Sequence, residues 1–219
     1  MRHKLIGTLF AILSLTLWAV AAPAATLAGT VVAVSGSCTD HGRVLKSGDA
    51  VQVSDTVNVP AGGHLQLRMA DESVISIAPG SSMTVASYNV DAAGRYVKLS
   101  LTQGLLRAHI TPIGGPSTFD VSTAVGTASV RSGFADWFIK AQAGSAQVGV
   151  LDGTVDLTSA ATGQSVSIPS HWGTRLEAGL DVMPPRRWGK TDFDPVIGLT
   201  ECCQSAQPKV EPSTGAETR

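Results

Sequence analysis

From Thr26 to about Leu180, apolar and polar positions alternate with a period of two almost without interruption. TVVAVSG (30–36), AVQVSDTVNV (50–59), HLQLRM (64–69), SVISIA (73–78) and SMTVAS (82–87) open the series. YVKLSL (96–101), LLRAHI (105–110), TFDVST (118–123), TASV (127–130), DWFIKA (136–141), AQVGVL (146–151), TVDL (154–157) and SVSI (165–168) continue it. Alternation puts successive side chains on opposite faces of an extended chain, so each run predicts a half-buried strand. Ser47-Gly48-Asp49, Ala61-Gly62-Gly63, Pro79-Gly80-Ser81 and Gly114-Gly115-Pro116 break the runs where turns are expected. In VGVLDGTVDL (148–157), Asp152-Gly153 between two alternating runs predicts a tight turn that needs positive φ. Helical spacing is read nowhere outside the first residues. The prediction is an all-β domain, although a sandwich, an open barrel and a solenoid would all write this pattern.

The ends of the chain read differently. Met1-Arg2-His3-Lys4 is basic, Leu5 to Val20 is an uncharged apolar run, and Ala21-Ala22-Pro23-Ala24-Ala25 follows. That order predicts a Sec-type signal peptide over residues 1–24 and a periplasmic or secreted protein. A retained membrane anchor is the lesser alternative, because the run is somewhat short for spanning. The β domain is then expected over 26–180, with a tail over 181–219. The last stretch, QSAQPKVEPSTGAETR, is polar and predicts disorder beyond about Gln204. The part around Trp188 and the paired cysteines is expected to dock on the domain through a disulfide.

Charge narrows the partners. Of 16 basic side chains, Arg2 and Lys4 lie in the leader, and 17 acidic ones oppose the rest. Arg186-Arg187 is the one basic cluster left, which argues against a nucleic-acid partner. The three cysteines are Cys38, Cys202 and Cys203. In an exported chain they are expected to oxidise, with Cys38 bonded to Cys202 or to Cys203.

Catalytic chemistry is not legible. His41, His64, His109 and His171 show no close ligand spacing, so no metal site is expected. Cys38-x-x-His41 lacks an orienting third group. Asp71-Glu72 reads as a solvated turn, and Asp192-x-Asp194 lacks the rest of a calcium loop. Neither a nucleophile elbow nor a P-loop is present, so no enzyme and no cofactor is predicted. Trp137 shares a strand face with Ile139 and predicts core, whereas Phe138 faces a side that is covered or sticky. His171, Trp172, Arg186, Arg187 and Trp188 are the candidate exposed contacts, since aromatics beside Arg anchor interfaces.

The order of these pieces resembles the FecR-domain family. GTVVAVSG (29–36), the run from Arg43 to Val85, LSLTQGLLRAHI (99–110), FDVSTAVGTASVRSGFADWFIK (119–140) and VGVLDGTVDL carry the resemblance, which covers most of 28–178. Two places depart from the family's pattern. Arg131-Ser132-Gly133-Phe134 stands where Arg-Gly-Thr is usual, and His171-Trp172-Gly173 stands where small residues are commoner. The resemblance implies short strands in a solenoid-like or sandwich-like arrangement, with Asp152-Gly153 as one corner. The family's regulators carry a cytoplasmic part that holds a sigma factor; the leader at residue 1 implies that this part is missing here. Together these readings predict an exported, non-enzymatic module that binds or senses an envelope or membrane protein, in signalling. The alternative is a structural or polysaccharide-binding envelope scaffold.

Overall fold

The computed structural model describes residues 26–131 and 133–201. The expected leader, Cys202, Cys203 and the polar tail lie outside the described residues. The strands are β1 Leu27–Ser35, β2 Thr39–Asp40, β3 Arg43–Val44, β4 Ala50–Gln52, β5 Thr56–Val59, β6 His64–Met69, β7 Val74–Ile77 and β8 Ser81–Asp91. They continue as β9 Gly94–Ile110, β10 Ser117–Ser122, β11 Gly126–Val130, β12 Ala135–Gln142, β13 Ser145–Ser159, β14 Ser165–Pro169, β15 Trp172–Glu177 and β16 Arg186–Arg187. A helix, α1 Lys190–Thr200, follows. The all-β expectation holds, with α1 as the exception.

Two sheets form, and two long strands belong to both. The first sheet runs β4-β1-β6-β7-β9-β12-β13-β15-β16, and the second β3-β2-β5-β8-β9-β10-β11-β13-β14. Of the strand pairs, β9–β10 is parallel and the others are antiparallel. This is the sandwich-like form of the expectation, since a solenoid would stack parallel rungs. Leu65, Leu67, Ile75 and Ile77 of the first sheet share one buried core with Val85, Leu99, Leu101 and Phe119 of the second. Trp137 lies in that core, fully buried, as expected.

The strands that change sheets do so at glycines. Up to Gln103, β9 pairs with β8, and from Gly104 onward it pairs with β12. β13 makes the same switch at Gly153, from β12 and β15 to β11 and β14. Gly104 has φ +98 and Gly153 φ +90, a region that side chains with a Cβ rarely enter. A serine clamps each kink. Ser81 Oγ accepts from Leu105 N at 2.9 Å and donates to Leu105 O at 3.3 Å. Ser170 Oγ accepts from Gly153 N at 3.0 Å and donates to Gly153 O at 3.1 Å. Asp152-Gly153 therefore does have positive φ, but it bends a strand that continues; it does not reverse one.

Asp71 corrects a second expectation. It is buried, whereas Glu72 beside it is exposed, so the acidic turn is solvated on one side only. Asp71 accepts from Arg95 Nη1 at 2.8 Å, Tyr88 OH at 2.9 Å and Ser73 Oγ at 3.0 Å. Arg95 also donates to Ser117 Oγ and to the carbonyl of Thr111. One buried cluster thus ties the β6–β7 turn to β8, β9 and the segment leading into β10. Burial, and then the neighbouring Asp71 carboxylate, push the Tyr88 hydroxyl well above its ordinary value.

A candidate interaction surface around Trp188

The outer side of the first sheet is covered where the C-terminal segment crosses it. Register aligns Arg107 on β9, Phe138 on β12, Gly149 on β13, Gly173 on β15 and Arg186 on β16 in one row. Within it, Gly149 and Gly173 leave a slot without side chains, and the Trp188 indole lies in it. A Cβ on Gly149 would stand 2.6 Å from both Phe138 Cε1 and Trp188 Cζ3, and one on Gly173 would collide with the indole itself. Phe138, Trp188 and Phe193 form a ring cluster with centroids 5.6 to 6.2 Å apart. With Ala78 and Leu105 they make a second, smaller core under α1. Phe138 therefore faces a covered side. At its edge, Arg107 makes a two-pronged pair with Asp136 at 2.9 and 2.8 Å, which holds the guanidinium more firmly protonated.

The helix that closes this core was not expected. Phe193, Val196, Ile197 and Thr200 do carry the i, i+3, i+4, i+7 spacing, and Phe193 and Thr200 are its buried positions. Asp192 marks its start, its side chain accepting from Gly189 N at 3.0 Å. Pro195 and Gly198 lower its intrinsic propensity. Packing on Trp188 and Phe138 supplies what the local sequence lacks.

The candidate contacts gather in one place. Trp188 N donates to His171 O at 2.9 Å, and Trp172 pairs with Arg187 across β15–β16. His171, Arg186 and Arg187 are exposed, and Trp172 is 37% exposed. Trp188 differs from its expectation: at 6% exposure it is a core anchor and not an outward contact. The Arg186 guanidinium lies 5.6 Å from its ring centroid and 3.2 Å from Asp192. Between this corner and α1 lies a groove of about 370 Å³. Leu151, Trp188, Phe193 and Ile197 line it with apolar surface, while His171, Arg187, Lys190 and Asp194 supply its charged and polar lining. A smaller hollow of about 240 Å³ lies against Trp188 as well, beside Arg175, Met183 and Arg186. The arrangement offers apolar burial beside an excess of positive charge.

Other candidates do not join it. Cys38 is buried, with Sγ 3.3 Å from Ser35 O and 3.4 Å from His64 O; its expected partners lie outside the described residues. His41 Nδ1 meets Asp40 at 2.9 Å and Asp55 at 3.8 Å. These three could in principle ligate a cation, but Arg43 already stands 3.7 Å from Asp40. Among the described residues no helix is long and apolar enough to cross a membrane.

Residues 55–156 match the family model described as FecR protein. The chain carries a FecR domain. The matched stretch begins beside β5 and ends within β13, so it holds both glycine kinks and the buried Arg95 cluster. Two crystal structures of a "putative anti-sigma factor" from Parabacteroides distasonis ATCC 8503, at 1.65 and 2.50 Å resolution, share the fold. Their TM-score is 0.52 each, at 16% and 15% identity, over 64% of this chain. The alignment spans 62% of their own length, less than two thirds. No curated protein matches the chain. The corner built by β15, β16 and α1 follows the matched FecR stretch in sequence and is packed onto it.

Proposed function

We propose that this chain is an exported, non-enzymatic regulatory module that docks a protein of the cell envelope and signals through it. The FecR match over 55–156 carries the reading, because the family resembled is one of envelope signalling regulators. The leader-like first residues support export, and the absence of a catalytic constellation in the sequence supports a binding role. The groove beside Trp188 is where the partner docks. Its apolar lining with Arg187 and Lys190 fits a segment bearing apolar and acidic side chains. Trp172, exposed beside Arg187, is the anchor that partner would cover.

Native capture from the envelope fraction tests this. Wild type retains a recurrent envelope protein, and Trp172→Ala with Arg187→Glu releases it. Equal capture by the double variant would remove the groove from the account. In the exported protein, Cys38 is joined to Cys202 or Cys203; peptide mapping without reductant checks that bond.

A further inference from the structure

The outer face of the second sheet carries a feature separate from the Trp188 corner. Following the register strand by strand, Thr56 on β5 lies opposite Thr84 on β8, and Thr84 opposite Ser100 on β9. Ser100 lies opposite Ser122 on β10, and Ser122 opposite Thr127 on β11. Thr127 lies opposite Thr158 on β13, and Thr158 opposite Ser165 on β14. The row is one unbroken line of hydroxyls across the sheet. At about 4.8 Å between neighbouring strands it extends roughly 29 Å. None of its members is buried, whereas Val57, Val85, Leu99, Val121, Ala128 and Leu157 beside them point into the core.

The chemistry of the face selects its ligand. Each hydroxyl offers one donor and two acceptor positions. Some capacity is used internally, as between Thr56 and Thr84 at 2.8 Å and between Thr158 and Ser165 at 3.0 Å, but much is left over. The adjacent register line holds Lys98, Asp120, Ser129 and Asp156, with little net charge. Asp120 Oδ1 there is buried and has no hydrogen-bond donor among the described residues. A protein partner would find few anchors in a Ser/Thr row, and a polyanion would find no cationic stripe. A neutral polyhydroxyl polymer matches it in charge and leaves hydroxyls on both sides paired when water is displaced.

We propose that this face binds a neutral polysaccharide laid flat across the strands along the hydroxyl row. The test is cosedimentation of the purified protein with washed cellulose and, separately, chitin. Ser100→Lys and Thr127→Lys are outward changes on half-exposed positions, and circular dichroism confirms that each variant is folded. Wild type is expected in the pellet with at least one polymer, and the paired Lys variant to bind about tenfold more weakly or worse. Trp172→Ala with Arg187→Glu is expected to leave binding unchanged. Wild type remaining in the supernatant with both polymers would overturn the proposal, as would full binding by the paired Lys variant. Loss of binding in the Trp172/Arg187 variant would also overturn it, by moving the glycan site to the other corner.

Discussion

Arg95 and Asp71 meet in an ion pair 2.8 Å long in which neither side chain reaches solvent. The pair survives burial because its remaining hydrogen-bonding capacity is spent on Ser73, Tyr88, Ser117 and the Thr111 carbonyl. Removing one partner strands the other charge, which costs far more than the intact pair contributes. Arg95→Met and Asp71→Asn should each lower unfolding free energy by about 3–5 kcal/mol. The double variant should lose less than the sum of the two. Urea denaturation with linear extrapolation measures all three; additive losses would mean the residues do not act as a unit.

Tyr88 gives that cluster a pH signature. Its hydroxyl is raised above the ordinary value of 10.0, by burial first and the Asp71 charge second. The unfolded chain therefore releases this proton before the folded one does. The contribution is fully present below about pH 10 and is lost as pH climbs from there toward the raised folded value. The sequence holds two tyrosines, so a Tyr96→Phe background isolates the Tyr88 phenolate absorbance. Ionisation should coincide with unfolding, and Tyr88→Phe should flatten the alkaline decline. A phenolate titrating in the folded protein near its ordinary value would contradict the burial.

Gly173 and Trp188 supply a third test. Gly173→Ala places a methyl group inside the indole and should cost about 1–3 kcal/mol through overpacking. Hydrogen exchange of 190–200 should rise along with the change in tryptophan fluorescence, because α1 rests on that ring. Combining it with Trp188→Leu should recover part of the loss. If Gly173→Ala were neutral with α1 still protected, the indole would not occupy this slot.

The strands were legible because one face of each is buried, and burial on one face writes itself as a period of two. Asp152-Gly153 was legible as positive φ but not as a kink. Alternation on both sides of Gly153 is the same whether the chain reverses or continues into a second sheet. Asp71 was read as solvated because its partner, Arg95, comes from another strand and leaves no mark beside it. Trp188 was read as exposed because Arg186 and Arg187 precede it in sequence. Its slot is made by Gly149 and Gly173, which only strand pairing brings together. The structure brings the five candidate contacts together at one corner, a juxtaposition made by strand pairing, and the ring that organises them faces inward.

The most direct measurement is site-specific photocrosslinking in cells, with the reactive side chain placed at Trp172, at Arg187 or at Thr162 on the exposed β13–β14 turn. The account predicts an adduct with one recurrent envelope protein from positions 172 and 187 and none from 162. Adducts of equal yield from all three positions, or none from 172 and 187, would contradict docking at the Trp188 corner.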